Sequence, residues 1–488
     1  MSAVRAQHIN PFNDFGVPKI IERQLPKYPE AEPGDTVGEI MHLLSSGTNV
    51  FLTGAGGTGK TFTTKKILGM VKSPLKTATT ALAARNFGGE TIHKCLWFGG
   101  AQTLEGLREL DAKRVARWAE CHGFTRVDQA FPLFFSRLEA LLKAADLLII
   151  DEISMASSQM IDMIFYRISQ WRTTPLPILV VGDMMQLPHV NPKKDPSQKP
   201  PFQSENWNFK MVNLERIYRS DDVGYCQVQR QVRFGVKTKE VLEFIKQHRV
   251  STLPEGDNDI VILAPKNSQV DSFNKMALRK LPGELLELEA EVVITDKNLK
   301  KRYIAGEPGP VAEVKAAIAS IAPDSPLRLK EGARLLITDN VYDEMGDLQY
   351  YNGQRCTFLR YDVDNGVLVA QADDVDGGGV LRIARRAYPI HTNVVKGDAV
   401  TTETNLEVMH FPLRLAYAMT IHKSQGQTLD KVHIQCHSIF SAGQFYVAFS
   451  RATSAKGLTL SHFDPTKHID ADPLYVQFYK DAGVPVSM

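Results

Sequence analysis

Residues 49–61 read NVFLTGAGGTGKT. A short apolar run, NVFLT, enters a loop built on Gly54, Gly56, Gly57 and Gly59. The segment that follows, TFTTKKILGMV, carries a helical pattern. The loop matches G-x-x-x-x-G-K-[ST] in full, with Thr58 inside it and Lys60 and Thr61 closing it. Glycines let successive backbone N–H groups converge on phosphate oxygens. Lys60 then supplies charge to the β- and γ-phosphates, Thr61 a Mg²⁺ ligand, and the helix start its dipole. Strand, loop and helix in that order predict a nucleotide site on an α/β sheet.

Two further apolar runs support this reading. LLII (147–150) ends in Asp151-Glu152, and ILVV (178–181) ends in Gly182-Asp183. Buried strands with polar residues at their C-terminal ends are the layout of a doubly wound parallel sheet. Asp151 is then the residue to hold Mg²⁺, and Glu152 the one to position or deprotonate an attacking water. Gln186, in VVGDMMQLPHV, is placed to bridge the γ-phosphate to a moving element.

The rest of the chain divides by pattern. Residues 1–35 form an irregular arm rich in Pro, Asn and Gly, and 36–48 read as a helix. A charged, helical insert spans 94–145. The pattern restarts near residue 214, with NDIVILAP (258–265) as a strand and NSQVDSFNKMAL as a helix. From 291 to 404 the sequence alternates, with turns at Asp364-Asn365-Gly366 and Gly377-Gly378-Gly379, so antiparallel hairpins and a small barrel are expected. The parallel pattern returns at 412–462. The predicted organisation is a first α/β domain over 36–211 and a second over 212–290 and 405–488, with the β-rich module 291–404 inserted in it.

Composition sets limits without deciding function. The chain has 488 residues, 43% hydrophobic and 23% charged, which suits a globular protein with a substantial core. No run approaches the ~20 apolar residues of a membrane span, and MSAVRAQHINPFNDFG has no apolar leader core. An intracellular protein is expected, in nucleus or mitochondrion for a eukaryote and in cytoplasm for a bacterium or a virus-infected host. The five cysteines are scattered and lack metal spacing, so reduced thiols are expected. A net charge of +2 leaves nucleic acid open, because a protein that releases a polyanion at every step can confine its basic residues to a channel.

A second stretch asks for a partner. In AMTIHKSQGQTLDKV (418–432), seven polar residues run from His422 to Thr428, too many for a surface turn. Among the aromatics, Phe87, Trp97, Phe98 and Phe134 are candidates to stack on bases, with core the favoured reading for Phe134. Arg219 in LERIYRS and Arg451 in YVAFSRAT lie in suggestive settings, but sequence position alone lifts neither above an ordinary surface or ion-paired arginine, the usual fate of an Arg.

Taken in order, GAGGTGKT, LIIDEISM, GDMMQLP, TIHKSQGQTLD and GQFYVAFSRA resemble the motifs of superfamily 1B DNA helicases. The pieces TATTALAARNFGGETIH (77–93), PFQSENW (201–207), RQVRFG (230–235), APKNSQVDSFN (264–274) and LKEGARLLITDN with YYNGQRCTF (329–358) resemble the petite-integration-frequency (Pif) branch, with RecD and phage Dda helicases as relatives. The resemblance spans about 40–465. It implies two RecA-like P-loop domains, with a helical, pin-bearing insert in the first and a small β-barrel insert in the second. It implies ATP and Mg²⁺ as cofactors, single-stranded DNA across both domains, and 5′→3′ movement. Lys60, Glu152, Gln186, Arg219 and Arg451 carry over as catalytic residues, the two arginines approaching from the second domain. Gly54, Gly56, Gly57, Thr58, Gly59, Lys60, Thr61, Gln425 and Gly426 carry over as nucleotide-binding, and Thr61 and Asp151 as metal ligands. Thr79, Arg85, Phe87, His93, Lys94, His189, His422, Lys423, Ser424 and Thr428 fall on DNA-facing motifs. The implied partners are single-stranded, tailed or forked DNA and a single-strand binding protein or replisome component, acting on a monomer. The family's adenine-reading Gln upstream of the P-loop is absent from DTVGEIMHLLSSGTN. The alternative is a DNA-dependent ATPase that remodels protein–nucleic-acid complexes without processive unwinding. A helicase-derived binding module without activity would carry damage at Lys60, Asp151, Glu152 or Arg451, and all four are intact.

Overall fold

The computed structural model describes residues 22–80, 83–84, 89–188, 198–251, 260–322, 325–339, 341–342, 348–350, 354–373, 379–396 and 399–486. The chain forms two compact units. The first comprises residues up to Arg249 together with Ile439–Gly457 and the chain from Phe463 onward. The second comprises Val250–Ser438 and Leu458–His462.

The first unit is built on a parallel sheet of six strands: β1 (Asn49–Gly54), β2 (Pro74–Ala78), β3 (Glu90–Thr91), β4 (Leu147–Asp151), β5 (Ile178–Val181) and β6 (Phe209–Leu214), in the order β3-β2-β4-β5-β1-β6. Helix α1 (Thr36–Ser45) begins at Asp35, whose carboxylate accepts from the Gly38 N–H, and α2 (Lys60–Met70) follows the glycine loop. Val50, Leu52, Leu147, Ile149, Leu179 and Val181 fill the core, which is why these runs are apolar without alternation. The insert after β3 is helical throughout, with α3 (Leu104–Cys121), α4 (Val127–Phe134) and α5 (Ser136–Ala144). It contains no β-hairpin. A buried bidentate pair ties it down: Arg167, on α6 (Ser158–Trp171), donates to Asp111 at 2.6 and 3.0 Å. Phe98 is fully buried, and Trp97 and Phe134 pack edge to face at 6.0 Å, so these three aromatics serve the core. Helix α7 (Val223–Arg233) also belongs to this unit.

The second unit holds β7 (Val261–Ala264) and α8 (Asn267–Lys280), as the restarted pattern predicts. Its β-rich part contains β8 (Leu286–Leu288), β9 (Glu291–Ile294), β10 (Leu327–Leu329), β11 (Arg334–Ile337), the short pair β12 (Val341–Tyr342) and β13 (Leu348–Tyr350), β14 (Arg355–Asp362), β15 (Val367–Ala372), β16 (Val380–Ala384), β17 (Arg386–Lys396), β18 (Ala399–His410) and β19 (Leu413–Leu415). Five of these strands form the antiparallel sheet β16-β15-β14-β11-β19, and three form β17-β18-β9. Two helices, α9 (Lys297–Ile304) and α10 (Pro308–Ile321), cover the smaller sheet through Leu299, Val314 and Ala317 against Leu406 and Val408. Alternation does not announce them. The strands β20 (Ala418–Thr420), β21 (Val432–Gln435) and β22 (Leu458–Ser461) join β7 in a parallel sheet ordered β20-β7-β21-β22.

Two later helices return to the first unit: α11 (Gln444–Phe449) and α12 (Pro473–Asp481). This grouping differs from the expected division at 211/212 and 405. Residues 212–249 and the segments carrying α11 and α12 pack with the first unit, because their polar side chains converge on the ends of β1 and β5.

Candidate nucleotide and nucleic-acid sites

Strand β1 delivers the glycine loop to the edge of the first unit. Gly57 and Gly59 have φ of 86° and 88°, backbone that side chains rarely adopt, and a methyl on Gly57 would lie 2.5 Å from Arg219 Cβ. Side chains from distant segments clamp the loop. Tyr446 Oη accepts from Gly56 N–H at 2.8 Å, and Gln229 Nε2 donates to Gly56 O at 2.9 Å. The N–H groups of Tyr218 and Arg219 reach Gly57 O. Lys60 Nζ donates to the carbonyls of Gly54 and Ala55 at 2.8 and 3.0 Å. Burial lowers its ammonium to about 8, against the opposing fields of Asp183 and Glu152.

Beneath the loop lies Asp183, buried and anionic. Burial alone would raise its carboxyl, but Arg233 and Lys60 beside it more than offset that. Arg233 Nε and Nη2 donate to Oδ1 at 3.1 and 2.9 Å, and Tyr446 Oη donates to Oδ2 at 2.8 Å. Tyr446 therefore links the loop backbone to Asp183 and, through it, to the turn that carries Gln186. Gly443, φ 77°, begins α11 against that turn, where a methyl would lie 2.7 Å from Met185 O.

The acidic pair sits at the end of β4. Burial first, and then Glu152, push the Asp151 carboxyl up to about 7. Asp151 Oδ1 accepts from Glu152 N–H at 2.9 Å, and Glu152 holds a left-handed φ of 55°. Backbone strain of this kind costs of order 1–3 kcal/mol and fixes the carboxylate's direction. Thr79 braces the pair: its hydroxyl donates to Glu152 O at 2.7 Å. Two neighbouring, partly buried carboxyls suit a hard cation. Among the described residues no cluster of three or more His, Cys, Asp or Glu forms a cage. That donor set fits a Mg²⁺ held through Asp151 and Thr61 with phosphate and water completing it.

Both predicted arginines meet the loop, and both pack with the first unit rather than the second, because α11 and the segment after β6 lie against Gly56 and Gly57. Arg219 Nη1 donates to Ser450 O at 2.6 Å. Arg451 is fully buried, with Nε on Val447 O at 2.9 Å, and a methyl on Gly56 would lie 3.3 Å from its Nη2. Burial and the charge of Arg219 lower Arg451 to about 10. Three cations, Lys60, Arg219 and Arg451, thus converge on one loop. That arrangement stabilises a polyphosphate and the charge that develops as its terminal group leaves.

The polar strip lies in the second unit. His422, Lys423 and Ser424 form a single 3₁₀ turn after β20. Ser424 is fully buried and its hydroxyl donates to Ile421 O at 2.8 Å, so it shapes the turn rather than presenting a donor outward. Lys423 and Thr428 are exposed, Gln425 is half-buried, and burial lowers His422. Gln425 and Gly426 belong to this unit, not to the one holding the glycine loop. Beside the strip is a cavity of about 810 Å³. Lys275, Arg279, Arg328, Lys330, Arg414 and Lys423 line it. Arg414 Nε is buried without a hydrogen-bond partner. Asn274 fixes α8 to β20 by bonds to both the N–H and the O of Ala418, at 2.8 and 3.3 Å. Apart from Lys423, sequence reading missed these cations because they are scattered over residues 275–414.

In the first unit, Thr79 and His93 line a second cavity of about 220 Å³ floored by Met160 and Met163, and Lys94 is exposed next to it in sequence. Arg85, Phe87 and His189 lie outside the described residues. All five cysteines are free, and no helix of the described residues is long and apolar enough to cross a membrane.

A family model described as an AAA domain matches residues 38–255. An ATP-dependent DNA helicase Pif1 from Bdellovibrio bacteriovorus is 31% identical over 92% of this chain and 92% of its own length. One from Campylobacter jejuni is 29% identical over 84% of this chain and 88% of its own. The chain spans 63% of the Xenopus laevis relative, which is 29% identical. A solved Pif1 helicase from Bacteroides, in complex with ADP-AlF3 and single-stranded DNA, aligns with a TM-score of 0.66 at 25% identity over 93% of this chain and 98% of its own. A Pif1 helicase from Candida albicans aligns with a TM-score of 0.69 at 23% identity over 92% of this chain and 99% of its own.

Proposed function

The chain belongs to the Pif1 family of ATP-dependent DNA helicases, and from that we propose that it hydrolyses ATP to drive 5′→3′ movement along single-stranded DNA and to open duplexes. The observation that carries this is the convergence of Lys60, Arg219 and Arg451 on the loop opposite Asp151 and Glu152. In the proposed reaction the loop N–H groups and Lys60 bind the β- and γ-phosphates. Asp151 and Thr61 would hold Mg²⁺, which when bound would neutralise charge on those phosphates. Glu152 takes the proton of the attacking water, and Arg219 and Arg451 stabilise charge on the leaving side. Gln186 reports the γ-phosphate to the turn it sits on.

For DNA, the exposed Lys423 and Thr428 with the cavity cations bind phosphates without reading sequence. Thr79 acts by bracing Glu152, which gives the DNA-facing segment a direct bond to the proposed catalytic base. His93, Lys94, and the wholly helical insert in the role of a strand-separating element complete the reading. A monomer working with a single-strand binding protein or replisome component suits such a motor.

The test is steady-state ATP hydrolysis with and without single-stranded DNA, with Lys60→Ala as blank, followed by unwinding of 5′- and 3′-tailed duplexes. Strong stimulation that weakens with salt, and opening of 5′-tailed substrates alone, are expected. Hydrolysis indifferent to DNA overturns the reading. Stimulation without unwinding moves it to a remodelling ATPase.

A further inference from the structure

Strands β1 and β5 run side by side, with Leu52 paired to Val181. The last bond between them goes from Gly182 N–H to Leu52 O at 3.1 Å. Past that point β1 turns into the glycine loop and β5 into the turn bearing Asp183 and Gln186. At this fork a hydroxyl arrives from a helix more than 290 residues away in sequence. Tyr479 Oη accepts from Met184 N–H at 3.1 Å and lies 2.7 Å from Thr53 Oγ1 and 3.3 Å from Asp183 Oδ1.

The helix that carries it is firmly seated. Asp472 caps α12 by accepting from Leu474 N–H, and Pro473 opens it. Phe478 stacks on Phe202 with centroids 4.2 Å apart and meets Phe51 and Trp207 at 6.1 Å. Tyr475 meets Phe202 edge on at 5.1 Å. Tyr479 itself is fully buried, and the Arg233 guanidinium lies 4.8 Å from its ring centroid. Packing alone would be served equally well by phenylalanine. The hydroxyl is what spans the fork.

We propose that Tyr479 is a positioning residue for ATP hydrolysis, its hydroxyl setting the spacing between the glycine loop and the Gln186 turn. Thr53 is the residue before Gly54, and Met184 is two residues before Gln186, so the bridge acts one peptide from the phosphate loop and two from the proposed sensor. Gln186 is itself buried, so its reach is set by where its backbone is held. A small displacement of such a group is expensive in rate, because positioning supplies much of catalysis in phosphoryl transfer. The role rests on the proposed ATPase reading and deepens it.

The experiment uses the full chain with saturating single-stranded DNA, comparing wild type, Tyr479→Phe, Thr53→Val and the double variant. Tyr479→Phe keeps the aromatic packing and removes the bridge. It should lower kcat about tenfold while KM for ATP, DNA affinity and melting temperature stay within about twofold or a few degrees. Thr53→Val, which cuts one arm of the bridge, should lower kcat by no more than Tyr479→Phe, and the double variant should fall no further than Tyr479→Phe, because phenylalanine already removes that bond. Wild-type kcat in Tyr479→Phe overturns the proposal, as does a loss that tracks a lowered melting temperature and recovers on cooling, or full additivity in the double variant. A wild-type chain that hydrolyses no ATP overturns the functional reading itself, and this role with it.

Discussion

The glycine loop and the polar strip are both short, yet they are held in opposite ways. Gly56 is gripped at its N–H by Tyr446 and at its carbonyl by Gln229, residues 390 and 173 positions away. The strip is shaped by bonds that close within three residues: Ser424 Oγ to Ile421 O, Lys423 N–H to Thr420 Oγ1, and Gln427 N–H to Ser424 O. A loop held from afar feels any change in how those distant segments pack. The turn of the strip is closed by bonds between neighbours in sequence. Under the proposed function, the grip on the glycine loop ties hydrolysis to the packing of distant segments.

The comparison is broken most severely at Arg451. Replacing it with Ala should lower DNA-stimulated turnover about a thousandfold while nucleotide binding persists, as fluorescent-nucleotide titration beside steady-state kinetics would show. Wild-type turnover there would mean that the distant grip is only structural. The next effect concerns the floor of the second unit. His433 lies between Thr459 Oγ1 and Ser461 Oγ, each at 3.0 Å, and burial with the nearby His462 lowers it to about 4. The unfolded chain therefore takes up this proton below its ordinary 6.5, the folded one only near 4. Stability from the neutral ring is complete above pH 6.5 and is lost as pH falls towards 4, by about 3 kcal/mol. Urea melts from pH 7 to 4.5 should follow that course, and His433→Gln should flatten it.

Gln425→Ala sharpens the contrast from the other side. The strip should keep its turn, and stimulation by DNA should fall about tenfold while single-stranded DNA still binds; unchanged stimulation would detach Gln425 from coupling. The smallest effect is expected at Arg414. Removing one phosphate contact should weaken DNA binding by about 1 kcal/mol for all sequences alike and reduce the salt slope by about 1. A sequence-dependent loss would mean that the cavity reads bases.

Local contacts are what made parts of this molecule legible in advance. NVFLTGAGGTGKT holds its strand, its glycine turns and its helix start within thirteen residues, and LLIIDE carries its acidic pair at a strand end. The grip on the loop was not legible, because Gln229, Arg233, Tyr446 and Tyr479 read as ordinary members of amphipathic or aromatic helices. The available signal was Asp183: an acid at the end of a buried strand must find counter-charges. Ser424 misled for the complementary reason, since a serine among donors reads as another donor, whereas its hydroxyl is spent on its own turn. Helices α9 and α10 sat inside an alternating region, but Asp296 as a cap and Pro308 in a first turn marked their starts.

The first unit is discontinuous in the chain, and that governs when it can work. A ribosome delivers residues up to Arg249 first, then Val250–Ser438, and only afterwards the segment bearing Tyr446 and Arg451, the last strand of the second unit, and the segment bearing Tyr479. Contacts of such long sequence separation form late and slowly. A growing or prematurely ended chain therefore displays a glycine loop without its clamp or its buried arginine. The site around the glycine loop is therefore assembled only after most of the second unit has been made.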